Sequence, residues 1–241
     1  MKAPPQKAGS KTKNRILIVD AHPMMREGLA QLISRQPDLV VCGEAANAPQ
    51  AVELVKELQP DLVLADITLP GRNGIDLIKD VQVVVSGMAV LVISMHDEAI
   101  YAERVLRAGG RGYIMKQEGG KKLMQAIRQV LSGQIFVSET ISARILELFS
   151  GHGAHLSKTP LERLTDREFE VFQLVGRGLG RREIAQQLHL SVRTAEVHRA
   201  NIKKKLELKS SSELIRFAVR WAEGQAIGGD RAVPPLIRKQ T

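Results

Sequence analysis

The chain has 241 residues, 44% of them apolar and 25% charged, which is the composition of an ordinary globular protein with one large domain or two small ones. A single cysteine excludes an internal disulfide, and the polar N-terminus has no apolar core that would serve as a secretory signal, so we expect a cytoplasmic protein. The longest apolar stretch, residues 81–95, is interrupted by polar residues and is too short for a bilayer span of about 20 residues, so we do not expect a membrane protein.

The net charge of +9 is distributed unevenly along the chain. Residues 15–150 have a slight acidic excess, whereas residues 151–241 carry 17 basic and 10 acidic side chains, a net of +7. Such asymmetry indicates a polyanionic partner for the C-terminal part, most often nucleic acid. A solvated basic surface would give the same charge count.

Short apolar runs alternate with helical patterns after a basic tail, residues 1–14, which we expect to be disordered. The runs are rich in β-branched residues and bounded by Asp, Gly, Pro or Ser, which is typical of parallel strands covered on both faces. The predicted strands are Arg15–Val19, Leu39–Gly43, Asp61–Ala65, Ala89–Ile93 and Gly112–Met115. The predicted helices between and after them are Met24–Arg35, Pro49–Gln59, Ile75–Val81, Glu98–Ala108 and Lys121–Leu131. This alternation predicts an α/β domain over residues 15–135, a flavodoxin-like doubly wound (βα)5 fold.

The pattern weakens in residues 136–160, which we interpret as a linker with one helix, Ile141–Phe149, and a hinge. A second domain, residues 161–224, is predicted to begin with a capping box in which Thr165 and Glu168 satisfy each other's backbone donors. The helices predicted to follow are Asp166–Val175, Arg181–Leu188, Val192–Leu206 and Ser211–Ala222. Such closely spaced helices indicate an all-α, four-helix helix-turn-helix domain, and residues 225–241 are predicted to be an unstructured tail.

Polar residues stand at the carboxyl ends of predicted strands. They are Asp20, Asp66, Ser94 and Lys116. In a doubly wound sheet, ligands bind at this edge. Two carboxylates offer oxygen ligands to Mg²⁺, a lysine neutralises phosphate and a hydroxyl bonds to it, so the set favours phosphoryl transfer to an aspartate. Any one of these residues alone would be more typical of a helix cap or a surface charge.

Segments of this domain resemble the receiver domain of bacterial two-component response regulators of the NarL/FixJ type. The segments match in order and spacing and read ILIVDAHPMMREGL, PDLVLADITLPGRNGIDL, VLVISMHDE and GYIMK. The resemblance implies that Asp66 is the phosphoacceptor. It further implies that Asp20, Asp66 and the carbonyl of Thr68 form an acidic pocket for Mg²⁺.

The same resemblance assigns the residues that sense the phosphoryl group. Lys116 is implied to contact that group, and Ser94 with Tyr113 to form a switch pair. In such receivers the hydroxyl moves inward and the aromatic side chain follows. The charge added at the acceptor is thereby read on a distant face.

One departure from the receiver pattern concerns the metal. The family has two adjacent acidic residues after the first strand, and this chain has Asp20 followed by Ala21. Because the second acidic residue ordinarily ligates Mg²⁺, we expect weaker metal binding and slow or absent phosphorylation. His22 is a candidate replacement ligand, but a capping or packing role is more typical there, and His96 is interpreted in the same way. The alternative is that Ala21 is an incidental change at a site that still works.

The segment LTDREFEVFQLVGRGLGRREIAQQLHLSVRTAEVHRANIKKKLELKS resembles the LuxR-type helix-turn-helix, over residues 161–224. One face of the helix Val192–Leu206 is predicted to pack on the preceding helices, which turns the opposite face toward a DNA major groove. The residues predicted to pack inward are Ala195, His198, Ile202 and Leu206.

The predicted DNA contacts lie on or beside the outward face of this helix. Ser191 caps the helix, basic side chains bind the phosphate backbone, and Glu196, Val197 and Ala200 are candidates for reading bases. The full predicted set is Ser191, Arg193, Thr194, Glu196, Val197, Arg199, Ala200, Lys203 and Lys204. For any single basic residue, simple solvation would explain the charge equally well.

The last predicted helix, Ser211–Ala222, is the candidate dimerisation element. In the resembled family this helix pairs two copies, so that two recognition helices meet a two-fold DNA site. The residues predicted to form the contact are Leu214, Ile215, Ala218 and Val219. Trp221 lies near the same face, with packing on its own domain or the linker as the alternative.

These patterns predict a transcription regulator that binds DNA as a dimer, and not an enzyme. The implied partners are double-stranded DNA, a cognate histidine kinase and a second copy on DNA, with RNA polymerase as a further partner. One alternative is a phosphorylation-independent regulator gated by a ligand or partner protein. Another is a stand-alone Mg²⁺-dependent phosphatase or phosphotransferase that uses Asp66. The C-terminal module and the lack of a substrate-pocket motif argue against that last class.

Overall fold

The described residues of the N-terminal half form a sheet of five parallel strands. The computed structural model describes residues 13–70, 72–149, 160–188 and 190–226. The strands are β1 (Asn14–Val19), β2 (Leu39–Ala45), β3 (Leu62–Asp66), β4 (Ala89–Ser94) and β5 (Gly112–Met115). Their order in the sheet is β2-β1-β3-β4-β5, the flavodoxin-like order of a doubly wound fold. The predicted fold class of this domain is therefore confirmed.

A helix follows each strand and covers one face of the sheet. The helices are α1 (Pro23–Ser34), α2 (Ala48–Leu58), α3 (Gly74–Val84), α4 (Glu98–Arg107) and α5 (Gly119–Leu131). Three of these helices have an N-cap residue whose side chain accepts a hydrogen bond from a backbone N–H of the first turn, as expected of Asn and Asp. These caps are Asn47, Asn73 and Asp97.

Alternate residues of each strand pack on opposite faces of the sheet. On β1, Leu17 and Val19 contact the core under α2, α3 and α4, whereas Ile16 and Ile18 contact the core under α1 and α5. All four side chains are fully buried. Burial on both faces explains why the strands read as continuous apolar runs rather than as alternating patterns.

The chain stays attached to this domain after α5. Phe136 lies beside β5, where its N–H donates to the carbonyl of Arg111 at 3.0 Å and its carbonyl accepts the N–H of Tyr113 at 2.9 Å. Gly112 permits this close approach, because a Cβ there would lie 2.7 Å from the Phe136 carbonyl oxygen. The next helix, α6 (Glu139–Phe149), buries Ile141. The start of the predicted linker thus packs on the sheet domain.

The C-terminal domain is helical from its first described residues. A short 3₁₀ turn, Pro160–Arg163, precedes α7 (Asp166–Gly176), α8 (Arg181–Gln187), α9 (Val192–Lys205) and α10 (Ser211–Ala226). The predicted capping box is present at the start of α7, with Thr165 N–H donating to Glu168 Oε2 at 2.8 Å. The core contains Phe169, Phe172 and Trp221, whose ring centroids lie 5.5 to 6.3 Å apart. The helical class predicted for this domain is confirmed.

The predicted tails and hinge fall mostly outside the described residues. Three residues of the predicted tails belong to ordered elements instead, since Asn14 begins β1 and Gln225 and Ala226 end α10. Among the helices of the described residues, no candidate has both the length and the apolar character needed to cross a membrane.

Candidate functional sites

Three of the residues predicted at strand ends meet at one edge of the sheet. Asp20 follows β1, Asp66 ends β3 and Lys116 follows β5. The Lys116 Nζ lies 2.7 Å from Asp20 Oδ2 and 2.9 Å from Asp66 Oδ2. Side-chain exposure is 0% for Asp20, 5% for Asp66 and 7% for Lys116. We call these three residues the strand-end cluster, in which one ammonium offsets the repulsion of two buried carboxylates.

The charges of the strand-end cluster stabilise one another. Burial works against the charge of Asp20, but hydrogen bonds from Lys116 and from the backbone N–H of His22 outweigh it and hold the pKa of Asp20 below its usual value. Burial also disfavours the ammonium, yet the two carboxylates raise the pKa of Lys116. Asp20 and Lys116 are therefore both charged at neutral pH.

His22 contacts the strand-end cluster through Asp20. Its backbone N–H donates to Asp20 Oδ1 at 2.8 Å, and its ring Nδ1 lies 3.0 Å from the same oxygen. The side chain is 71% exposed, and within the described residues it makes no capping bond at the start of α1. His22 therefore occupies the N-cap position of α1, as expected, but its side chain does not cap the helix, because the ring lies against the neighbouring carboxylate.

The donor atoms of this edge fit Mg²⁺. Asp20, His22 and Asp66 each offer a ligand atom within 4.8 Å of the others. Two carboxylates supply the hard oxygens that Mg²⁺ prefers, whereas an imidazole nitrogen suits softer ions. Ala21 supplies no oxygen, but Mg²⁺ commonly keeps several waters, so a reduced protein ligand set is compatible with it.

The predicted switch pair meets at the backbone of His96. Ser94 is fully buried, and its Oγ accepts the backbone N–H of His96 at 3.1 Å. The Tyr113 hydroxyl donates to the His96 carbonyl at 2.8 Å. Burial raises the pKa of Tyr113, so the phenol stays neutral and remains a hydrogen-bond donor.

The side chain of His96 connects two further elements. Its Nε2 lies 3.0 Å from Thr68 Oγ1, in the loop after Asp66, and its ring centroid is 5.1 Å from that of Tyr101 on α4. The sequence predicted only a capping or packing role for His96. The single sequence signal for a larger role is its position two residues after Ser94 at the end of β4.

The recognition helix predicted in the C-terminal domain is α9, and its inward face is as expected. Ala195, Ile202 and Leu206 are fully buried, and His198 is half-buried. The Ser191 Oγ accepts the N–H of Thr194 at 3.0 Å and so caps the helix. The inward packing leaves the opposite side of α9 facing solvent.

The residues predicted to contact DNA lie on that solvent side to different extents. Those that are exposed are Ser191, Arg193, Glu196, Val197, Ala200 and Lys204. Those that are half-buried are Thr194, Arg199 and Lys203. Glu196 is engaged by Arg181 of α8 at 2.7 Å, so it would have to leave that partner to accept from a base. Within the described residues, no other helix or strand covers the basic side chains Arg193 and Lys204 on this side of α9.

Comparisons with known proteins match both domains. A family model described as the response regulator receiver domain matches residues 16–128, and one described as bacterial regulatory proteins of the luxR family matches residues 162–218. The nitrate/nitrite response regulator protein NarL of Escherichia coli strain K12 is 34% identical over 214 residues, which are 88% of this chain and 96% of NarL. The chain belongs to the family of two-component response regulators with a LuxR-type DNA-binding domain. These are DNA-binding transcription regulators rather than classical enzymes.

A second relative and one solved structure agree with this assignment, and another solved structure shares the fold. The oxygen regulatory protein NreC of Staphylococcus carnosus strain TM300 is 31% identical over 210 residues, which are 86% of this chain and 97% of NreC. A LuxR-family response regulator from Aurantimonas sp. SI85-9A1 has a TM-score of 0.54 and 36% identity, over 58% of this chain and 99% of that one. RcsB of Salmonella enterica serovar Typhimurium, solved on the rprA promoter with the phosphomimetic BeF3⁻, has a TM-score of 0.62 over 86% of this chain and 99% of RcsB. Its 23% identity supports the fold alone.

Two of the residues predicted for dimerisation of the response regulator are not available for it. Leu214 and Ala218 of α10 are fully buried in their own domain. Ala218 packs so closely on α7 that a Cβ at Gly176 would lie 2.6 Å from its carbonyl oxygen. Ile215, 42% exposed, and the half-buried Val219 remain accessible. The prediction for Leu214 and Ala218 is therefore wrong, because the domain's own core takes that stripe of the helix.

The receiver and the LuxR-type domain also touch each other, which the sequence did not predict. Arg104 of α4 donates from Nη1 to the Leu164 carbonyl and to Asp166 Oδ1, each at 3.0 Å, and from Nη2 to the Leu161 carbonyl at 3.0 Å. Its guanidinium carbon lies 4.9 Å from the ring centroid of Phe169. Such a guanidinium satisfies several acceptors and stacks on an aromatic face at once.

Other side chains extend this contact on both sides of Arg104. Lys79 of α3 lies 2.7 Å from Asp166 Oδ2, and Tyr101 meets Phe169 edge-on with ring centroids 5.5 Å apart. Burial works against the charge of Asp166, but Lys79 and Arg104 outweigh it and keep the pKa of Asp166 below its usual value. We call the packing of Lys79, Tyr101 and Arg104 on residues 161–169 the domain contact.

Proposed function

We propose that this response regulator accepts a phosphoryl group on Asp66 from a histidine kinase, and that the modification controls binding of a dimer to DNA. The observation that carries the proposal is the environment of Asp66. Its carboxylate ends β3 at the ligand-binding edge of the sheet, 2.9 Å from the ammonium of Lys116. A buried lysine in that position would neutralise charge on a phosphoryl group entering from solvent.

The neighbouring residues support the chemistry of such a transfer. Mg²⁺ held by Asp20, Asp66 and the Thr68 carbonyl would offset negative charge on the transferring group. The Asp66 carboxylate oxygen would form the new bond to phosphorus while the phosphodonor's leaving group takes the bonding electrons. Lys116, which bridges Asp20 and Asp66, would turn from both carboxylates toward the phosphoryl oxygens. The Ser94 hydroxyl, at the end of the adjacent strand, would supply a further hydrogen bond.

Ala21 is proposed to make this transfer slow. The residue next to Asp20 has no oxygen to offer, so the metal depends on fewer protein ligands and on less compensating charge. The strand-end cluster is meanwhile complete without a metal, because Lys116 already pairs with both carboxylates. These two features together favour weak metal binding and a low rate of phosphorylation.

The phosphoacceptor role is tested on a phosphate-affinity gel. The full chain is incubated with acetyl phosphate and Mg²⁺, and we expect a retarded band that Asp66→Asn abolishes. Ala21→Asp should increase the rate of its formation roughly tenfold, since it restores an oxygen ligand. Asp76→Asn, a half-buried residue in the first turn of α3 of the same domain, serves as the matched control and should leave the band unchanged.

The same gel distinguishes a second candidate function, a regulator that works without phosphorylation and is gated by a ligand or a partner protein. The bridging of Asp20 and Asp66 by Lys116 favours this alternative. A chain that gives no retarded band, but gives one after Ala21→Asp, would support it. A retarded band that persists in Asp66→Asn would contradict the assignment of the acceptor.

DNA binding by a dimer is supported by α9 and α10. The solvent side of α9 carries Arg193, Arg199 and Lys204, which suit contacts to DNA phosphates. Ile215 and Val219 offer a small accessible apolar surface on α10 for a second copy. Ile215→Lys should reduce the share of two-copy complexes on duplex DNA in sedimentation velocity, whereas Glu223→Lys on the same helix should not. Equal shares in both variants would contradict a role for this surface.

A further inference from the structure

His96 contacts both the loop after Asp66 and Tyr101 of the domain contact. We propose that His96 is a positioning residue, through which the loop after Asp66 and the switch pair hold the LuxR-type domain against the receiver. The regulatory meaning of this link rests on the proposed function, whereas the link itself is a property of the chain without any phosphoryl group.

On the receiver side, three separate groups fix His96. Its backbone N–H is bound to Ser94 Oγ, and its carbonyl accepts the Tyr113 hydroxyl. Its ring Nε2 is bound to Thr68 Oγ1 at 3.0 Å. Both members of the switch pair and the loop after the acceptor therefore act on one residue. A shift of the Ser94 hydroxyl toward Asp66 would pull on the backbone of His96 or break its bond.

On the other side, His96 begins a run of ring contacts that crosses between the domains. Its ring lies 5.1 Å from Tyr101, which lies 5.5 Å from Phe169 of α7, which in turn lies 5.6 Å from Trp221 of α10. Tyr101 is 6% exposed and Phe169 is 1% exposed. Packed aromatic rings of this kind have few alternative arrangements, so displacement of one ring is felt by the next.

His96 also faces the LuxR-type domain directly. It lines a cavity of about 280 Å³ together with Gln173, Arg177 and Trp221 of that domain. The ring can keep its bond to Thr68 through Nε2 while its face stays against Tyr101.

The test uses the fluorescence of Trp221, the single tryptophan of the chain, in the full-length protein without phosphodonor or DNA. Acrylamide quenching reports how often Trp221 is uncovered by separation of the domains. Loss of one ring contact in His96→Ala should raise the ratio of separated to docked chains about fivefold. Arg107→Ala is the matched control, because Arg107 lies on α4 and pairs with Glu103 of the same helix.

Thr68→Val distinguishes a positioning role of His96 from a role in packing alone. Thr68 is exposed and is linked to α4 through His96, so its substitution should raise quenching in the wild-type background. It should have no further effect in the His96→Ala background or in His96→Phe, which retains a ring against Tyr101. Circular dichroism checks that each variant is folded. Because Thr68 is exposed, we expect Thr68→Val to fold normally.

Two results would overturn the proposal. One is equal quenching of Trp221 in His96→Ala and Arg107→Ala. That result would also be found if the domains of the wild-type chain were already separated. The other is an effect of Thr68→Val that is undiminished when His96 is replaced. Neither result depends on phosphorylation, so failure of Asp66 as an acceptor would be seen separately on the phosphate-affinity gel.

Discussion

The strand-end cluster and the domain contact are both built from cations on carboxylates, yet they differ in burial. Lys116 and its two carboxylates are at most 7% exposed, whereas Lys79, Arg104 and Asp166 are between 13% and 51% exposed. Charges removed from water need their partner far more than charges that water can reach. The first arrangement therefore suits a permanent site, and the second suits a contact that opens and closes.

Breaking the buried arrangement should have the largest effect. Lys116→Met leaves Asp20 and Asp66 facing each other without a cation, and we expect the free energy of unfolding to fall by about 3 kcal/mol. Urea denaturation of the full chain at pH 7 measures this loss. Lys122→Met is the control, because Lys122 is 45% exposed and pairs with Glu118, the residue that precedes α5. Equal stability of the two variants would show that the cluster does not need its lysine.

Breaking the partly exposed arrangement should change the domain contact more than the stability of either domain. Arg104→Ala removes three hydrogen bonds and a cation–π contact, which together stabilise docking by about 2 kcal/mol. We expect a larger radius of gyration in small-angle X-ray scattering. Arg107→Ala should leave the radius unchanged, and an unchanged radius in Arg104→Ala would contradict the importance of this guanidinium.

The sequence predicted the strand-end cluster because the geometry of a parallel sheet is regular. Once β1, β3 and β5 are recognised as strands, Asp20, Asp66 and Lys116 have to meet at the carboxyl edge. The inward face of α9 follows in the same way from a period of 3.6 residues.

The sequence did not predict the domain contact because no repeating sequence pattern relates the residues of α4 to those of α7. Arg104 is separated from its acceptors by some 60 residues, including the undescribed stretch 150–159, so its partners depend on how two surfaces fit. The end of α3 was missed for a simpler reason. Val83 is apolar yet 87% exposed, so the apolar period stops before the helix does.

The accessible charges of α9 should show a third kind of behaviour, in which the partner is DNA rather than another side chain. Lys203→Ala with Lys204→Ala should weaken duplex binding about tenfold and reduce the slope of affinity against salt by about 2. Fluorescence anisotropy at several salt concentrations measures both quantities. Lys121→Ala with Lys122→Ala on the receiver is the matched control. An unchanged slope would mean that these lysines of α9 do not contact phosphates.

The smallest effect should come from acid titration of the domain contact. The pKa of Asp166 is lower when the domains are docked than when they are separated, where it is about 3.9. Asp166 therefore stabilises docking fully above a pH of about 3.9, and this stabilisation is lost as the pH falls through the lower pKa of the docked chain. Quenching of Trp221 should therefore rise below about pH 4 in the wild-type chain. Asp166→Asn should show more quenching at pH 7 and a smaller further rise in acid. Identical pH profiles would contradict a role for this carboxylate.

The most direct test of phosphorylation control is the affinity of the full chain for duplex DNA, with and without acetyl phosphate and Mg²⁺, at one fixed salt concentration. The duplex is one selected by the chain from random sequence. If Asp66 controls DNA binding, the phosphodonor should change the dissociation constant at least about fivefold in the wild-type chain, more completely in Ala21→Asp, and not at all in Asp66→Asn. An equal dissociation constant in all three proteins, with and without the phosphodonor, would contradict control of DNA binding through Asp66.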